Sequence, residues 1–379
     1  MYHLRDKEKI LQNPSQVTEF QAWWAGLKEV PDFIALLKNL KTLNLGRNKL
    51  KQLPDFIFDL ENLEDLDLSE NKLTEIPAKI GKLKKLKRLD IAANPLAALP
   101  AEIATLPLEE LSVSMTKLPE LPDFIGALRT LRDLRAGHTP ITRLPETIAN
   151  LQNLKNLNCQ TTKLKQIDPA IFKLHALEKL YISESDITEI PDAIAHLRNL
   201  KELYLEKNKI TRIPETIGHL KSLDYLNLSS NHLATLPAGI SGLESVTRLF
   251  LGGNQFSEVP TPLLRLPGLR ALTLTNNALE TLPASFQSMT ELRHLDIAGN
   301  KLQTFYESFL TAPPNLTHLF FGDNPLTDVK AELENLSDSN AVFKFLDGCG
   351  YKDKLTLGEK RKIKELYKKK MNKEISIDY

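Results

Sequence analysis

Cysteine is scarce in this 379-residue chain: there are two, Cys159 and Cys349. Two thiols so far apart in sequence form neither a disulfide framework nor a CxxC metal clip, and a reducing compartment is the expected setting. An excess of one charge is missing as well. Lys and Arg number 49 against 48 Asp and Glu, a formal net charge of +1, which argues against a general nucleic-acid binder. No run of about 18 apolar residues occurs, and "MYHLRDKEKILQNPSQ" lacks the apolar core of a secretion signal. A cytoplasmic protein is expected. Phosphate loops, HExxH pairs and GxSxG elbows are also absent. The chain is therefore read as a non-enzyme with no catalytic residue, no cofactor and no metal.

What is present is repetition. Stepping by 23 residues from Leu40 reaches Leu63 and Leu86. After one deletion it reaches Leu108, Leu131, Leu154, Leu177, Leu200, Leu223, Val246, Leu269 and Leu292, with one extra residue before Leu316. Most units open LxxLxLxxNxL, as in "LEDLDLSENKL" (63–73), and continue LPxxIxxL, as in "ITRIPETIGHL" (210–220). The alternating LxL puts two side chains on the inner face of a short strand. Proline fixes φ on the opposite limb, and IxxL returns two more apolar groups to the core. One unit cannot bury its apolar face alone, whereas stacked units share one core.

These motifs resemble the leucine-rich repeat family over residues 40 to about 329, in about thirteen repeats. The Pro-bearing 23-residue form is similar to repeats of intracellular Ras-associated scaffolds, plant Ras-group proteins and many bacterial proteins. The resemblance implies an α/β solenoid, a horseshoe with a parallel concave sheet, an irregular or 3₁₀ convex side and helical caps at both ends. It also implies a structural ladder, in which the Asn after each strand bonds backbone groups of its own loop and of the neighbouring repeat. Asn48, Asn71, Asn94, Asn208, Asn231, Asn254, Asn277, Asn300 and Asn324 match it, while Thr116, Thr139, Thr162 and Ser185 interrupt it. A hydroxyl offers one donor where an amide offers two. Fewer bonds between repeats and weaker amide protection are expected at those four corners.

The ends of a stack need covers. "NPSQVTEFQAWWAGL" reads as a helix capped by Asn13, with Pro14 in its first turn and Val17, Phe20, Trp24 and Leu27 on one face. Residues 1–39 are thus expected to be an N-terminal helical cap with a degenerate half-repeat, Trp23 and Trp24 serving the plug rather than a ligand. Residues 330–379 read as a C-terminal helical cap. Its "TLGEKRKIKELYKKKMNKE" opens with a Thr356–Glu359 capping box and carries Lys and Arg on all but one face. The rival reading of residues 352–379 is a basic helix that docks on an anionic membrane. Cys349 sits in a Gly-flanked turn, with too little chain around it for a catalytic domain. Cys159 replaces a core Leu or Ile.

Residues between the inward leucines form the concave surface. Tyr181, Tyr204, Tyr225 and Phe250 gather there, with Glu202 within the cluster and Arg135 and His138 bordering it on one side. Grouped aromatics on such a face are interface anchors, and a protein is the expected partner of a monomeric chain. The finer alternatives are a scaffold in signalling, a membrane-associated adaptor, or a bacterial effector translocated into a host cell and acting on a host signalling protein. His294 and His318, with Asp296 and Asp323, could hold a divalent cation, but exposed concave positions are commonly polar and no metal is assigned.

Overall fold

The structure of the protein, a computed structural model, describes residues 2–303, 315, 316, 318–320 and 322–325. The expected C-terminal helices, with Cys349 and residues 352–379, lie outside the described residues. The chain divides into two compact units, residues 1–187 with 196–200, and residues 188–195 with those from 201 onward.

The first unit holds nine strands: β1 (Tyr2–His3), β2 (Glu19–Gln21), β3 (Thr42–Asn44), β4 (Asp65–Asp67), β5 (Arg88–Asp90), β6 (Glu110–Ser112), β7 (Asp133–Arg135), β8 (Asn156–Asn158) and β9 (Lys179–Tyr181). They pair in parallel in chain order. The second unit repeats the pattern with β10 (Glu202–Tyr204), β11 (Tyr225–Asn227), β12 (Arg248–Phe250), β13 (Ala271–Thr273), β14 (His294–Asp296) and β15 (His318–Phe320). Most strands are three residues long. The central Leu, such as Leu66 or Leu226, is buried, and its two neighbours look out from the sheet.

The other limb is 3₁₀, as expected. Pro54 precedes Asp55–Asp59, Ile57 donates its N–H to the Pro54 carbonyl at 3.2 Å, and the Ile57 side chain is buried. Proline suits this position because its φ is already near −70° and the turn needs no donor there. The 22-residue unit keeps strand register, with Leu89 opposite Leu111. The missing residue comes out of the turn before β6. Leu106 is extended there (ψ 143°), whereas Leu60, Leu83 and Leu128 have ψ of 60–68° at the same place.

The N-terminal expectation needs correction. Residues 14–27 form no long helix: Pro14–Gln16 is one 3₁₀ turn and Glu19–Gln21 is β2, paired in register with β3. The helix lies earlier, α1 (Lys7–Gln12), with Ile10 buried beneath it and β1 added beside β2. Val17, Phe20 and Ala22 occupy the LxxLxL positions 23 residues before Leu40, Leu43 and Leu45, and all three are buried. Strand pairing and this burial outweigh the helical pattern of the same residues. Trp23 and Trp24 consequently fall on the loop after β2. They are 48% and 75% exposed and form no plug.

The Asn ladder is built as the resemblance implies. Asn71 Oδ1 accepts the Leu50 N–H at 3.0 Å, while its Nδ2 donates to the Leu45, Leu68 and Ser69 carbonyls at 2.9, 3.0 and 3.2 Å. Asn48 does the same for the repeat that contains β2, accepting from Ala25 and Leu27 and donating to Ala22. Just before the Asn, the chain turns through the left-handed region at Arg47 (φ 54°), Glu70, Lys207 and Ser230, and at Gly253 and Gly299. Thr116 and Thr139 reach only their own corner, donating to the Val113 and Ala136 carbonyls at 2.7 and 2.6 Å. Thr162 adds a contact with Ser185, 3.2 Å between hydroxyls.

Candidate partner interface

Concave positions differ in chemistry between the two units. In the first unit they are charged and largely self-neutralising. In the column just before the strands, Lys41 and Lys87 flank Glu64 at 3.4 and 2.9 Å, Glu109 meets Arg132 at 3.8 Å, and Lys155 meets Glu178 at 2.8 Å. The basic run of 79–88 is matched one repeat back: Lys79 by Asp55, Lys82 by Asp59, Lys85 by Asn62 and Arg88 by Asp65. Pairs this exposed add little stability each, but they remove the free positive surface that a polyanion needs. An open depression between β4 and β7 is lined by Asp67, Arg88, Asp90, Glu110 and Arg135 among others. Burial there, with the charge of Asp67, holds the Asp90 carboxyl above its usual range.

Three of the expected partner-binding residues belong to this unit. Arg135 projects from β7 and is held by Asp133 at 2.9 Å. His138 occupies the left-handed turn beyond it (φ 56°), exposed and 3.3 Å from the Gln160 amide. Tyr181 is half-buried at the end of β9, two strands from Arg135.

The second unit brings together Glu202, Tyr204, Tyr225 and Phe250. Tyr204 and Tyr225 stack at 4.5 Å between ring centroids with 30° between planes, and Tyr225 meets Phe250 at 5.1 Å. Register explains the contact. Glu202 is opposite Tyr225 and Tyr225 is opposite Arg248, so the three rings meet on diagonals, within reach of large side chains. Tyr204 donates its hydroxyl to Glu202 at 2.9 Å. Arg248 lies 4.9 Å from the Tyr225 ring centre and pairs with Asp224 at 2.6 Å. Burial and the charge of Glu206 raise the Tyr225 phenol above its usual value, so it remains a neutral ring near neutral pH. All three rings are half-buried, each covering part of the next, which leaves a ridge rather than isolated side chains. Arg248 and Asp224, which fix one flank of this ridge, were not among the residues expected from the sequence. Their signal is positional: both stand in the columns ahead of the central Leu.

Further along, His294 and His318 stack with centroids 4.2 Å apart and planes 8° from parallel. Ring-nitrogen lone pairs lie in the ring planes, so parallel rings do not aim two nitrogens at one cation. No group of three or more metal-binding side chains occurs among the described residues. Cys159 is buried and its thiol is pushed up to about 12, which makes it an inert core residue.

Profiles described as leucine-rich repeat region match residues 26–136 and 120–209, and a second leucine-rich repeat profile matches 198–256 and 260–302. No curated protein sequence matches the chain. Among solved structures, a leucine-rich repeat protein of Leptospira interrogans is 32% identical over 88% of this chain and 96% of its own, with a TM-score of 0.73. The plant peptide hormone receptor RGFR1, in complex with RGF2, is 28% identical over 82% of this chain at a TM-score of 0.67; the match spans 52% of the receptor chain. An internalin of Listeria monocytogenes, InlF, shares the fold at 20% identity, 89% and 88% coverage and a TM-score of 0.67.

Proposed function

Because this chain belongs to the leucine-rich repeat family, we propose that it is a non-enzymatic recognition module whose concave strands hold a protein partner. The stack of Tyr204, Tyr225 and Phe250 carries this reading. Aromatic rings fixed by their neighbours lose little conformational freedom on binding and present large apolar faces, the usual make-up of interface hot spots. Glu202, Asp224 and Arg248 supply a polar rim that orients a partner. In the first unit, Tyr181, Arg135 and His138 are proposed as partner-binding residues in their own right. The peptide carried by the receptor RGFR1 supports a protein or peptide as the class of ligand. A scaffold in a reducing, cytoplasmic setting fits the free Cys159. No helix of the described residues is long and apolar enough to cross a membrane.

The test is capture from the cell of origin with the intact chain, identification of the retained protein, and repetition with Tyr204→Ala/Tyr225→Ala/Phe250→Ala. Loss of two or more hot spots weakens binding by at least about a hundredfold, with an unchanged circular dichroism spectrum. Equal retention by the variant removes the ring stack from the interface.

A further inference from the structure

Outward rings recur on every strand of the second unit but one. β10 carries Tyr204, β11 Tyr225, β12 Phe250, β14 His294, and β15 His318 with Phe320. Rings touch on both sides of β13: Tyr204 meets Tyr225 at 4.5 Å, Tyr225 meets Phe250 at 5.1 Å, and His294 meets His318 at 4.2 Å. β13 instead has Ala271 and Thr273 in its outward positions, with Leu272 buried between them. Ala271 is the one alanine among the first residues of β2–β15, and alanine is a poor strand former. Register sets Arg248 and His294 on either side of Ala271, and Phe250 and Asp296 on either side of Thr273. Arg248 turns the other way, over the Tyr225 ring and onto Asp224. Among the described residues no ring contact joins Phe250 to His294. The outer face therefore drops to a notch at β13, walled by Phe250 and His294. Each stacked ring pair adds stability, and β13 forgoes two of them.

We infer that this notch takes one aromatic side chain of the protein partner, which completes the row of rings across β10–β15. The inference rests on the concave face being the recognition surface. Spacing selects a ring. With strands about 4.8 Å apart, β12 and β14 are roughly 9.6 Å apart, so a ring above β13 lies about 4.8 Å from either wall. That is the separation the chain uses between its own rings, 4.2–5.1 Å, and it suits offset stacking. Order along the row gives the seat. The ring follows the central Leu on β10, precedes it on β11 and follows it on β12, so the next falls over Ala271. Burial, with the charges of His318 and Arg293, holds the His294 imidazole below its usual value, and near neutral pH it meets an incoming ring as an uncharged aromatic. A branched aliphatic side chain could cover the same floor but would stack on neither wall. A nucleobase is flat as well, but a chain with a net charge of +1 is poorly suited to the polyanion that carries it.

The probe is N-acetyl-tryptophanamide, titrated into the full chain and read by NMR at the Ala271 methyl and a His294 ring proton. N-acetyl-leucinamide and adenosine monophosphate are the comparisons. Ala271→Trp, checked for native circular dichroism, fills the notch from within. The expected result is an upfield ring-current shift of the Ala271 methyl with the indole, none with the leucine amide and a smaller one with the nucleotide. The His294 response should be lost in Ala271→Trp. No shift with the indole, an equal shift with the leucine amide, an undiminished His294 response in the variant, or a nucleotide response as large as the indole's each overturns the inference. The two readings fail separately with the captured cellular partner. Ala271→Trp keeps all three rings of the stack and should weaken capture at least about tenfold, whereas Tyr204→Ala/Tyr225→Ala keeps the notch and its Phe250 wall. If Ala271→Trp retains the partner at parental affinity while the tyrosine variant loses it, the notch inference falls and ring recognition stands. If the tyrosine variant retains it and Ala271→Trp loses it, the notch stands and the tyrosines are not the anchor.

Discussion

At the scale of single residues, the corner after each strand separates amide from hydroxyl. An Asn there closes three groups across and within repeats, as Asn71 does for Leu45, Leu50 and Leu68. Thr139 reaches one carbonyl of its own loop, and the buried Leu118 N–H, the counterpart of the Leu50 N–H, has no hydrogen bond among the described residues. Pro140 deepens the deficit. Lys49, Lys72 and Lys163 send an N–H back to Leu27, Leu50 and Ile141, and proline has none to send to Leu118. Thr139→Asn should restore the missing bonds, placing Oδ1 against the Leu118 N–H and Nδ2 toward the Val113 carbonyl. An unmade buried bond costs about 1–3 kcal/mol, so the substitution should raise the melting temperature of the first unit by a few degrees, about 2–4 °C per kcal/mol. Hydrogen exchange checks it locally. The Leu118 and Ile141 amides should exchange faster than those of Leu50 and Leu73, and Thr139→Asn should slow Leu118 alone. Uniform protection in the parent chain would mean that the hydroxyl corners close as well as the amide ones. The ladder positions were legible because the period is fixed and Asn stands out in it. Which carbonyl goes unserved was not, because that depends on backbone direction in the neighbouring repeat.

At the scale of elements, the 3₁₀ turns of successive repeats pack directly on one another, and glycine sets how closely. A Cβ built on Gly218 would lie 2.1 Å from the Gly239 carbonyl oxygen, and one on Gly239 would lie 2.0 Å from the Glu215 carbonyl oxygen. These are backbone atoms, so no side chain can turn aside to make room. Gly218→Ala should therefore force Glu215–His219 away from Ala238–Gly242 and cost about 1–3 kcal/mol, read as a lower urea midpoint. Gly268→Ala, whose Cβ would meet nothing closer than 3.6 Å, is the control and should be nearly silent. The motif LPxxIxxL announced a turn of this type but not its spacing, since x positions carry no pattern in the sequence. The same limit explains the N-terminal misreading. Val17, Phe20, Trp24 and Leu27 satisfy a helical period over a short window, and the strand was visible only by counting 23 residues back from Leu40. Period over the whole chain outranks period within a window, and Ala25 in place of Asn hid the repeat.

At the scale of the molecule, a stack whose repeats contact mainly their neighbours is only as sound as its exposed end. In the first unit that end is β2, and it is covered by β1, through the Tyr2–Phe20 and His3–Gln21 pairs, and by α1 with Ile10 beneath it. Removing residues 1–13 would leave a free strand edge beside Val17 and Phe20, both fully buried in the intact unit. An uncovered edge with apolar side chains below it templates pairing with another chain. The truncated protein should melt at a lower temperature and form dimers or larger species at high concentration in light scattering, while the intact chain stays a monomer. Ile10→Glu separates the two causes, because it places a charge in the apolar layer while leaving the β1–β2 pairing available. If lost burial is what matters, Ile10→Glu should match the truncation in stability but associate less. If the open strand edge is what matters, Ile10→Glu should stay near the parent in stability, and only the truncation should assemble.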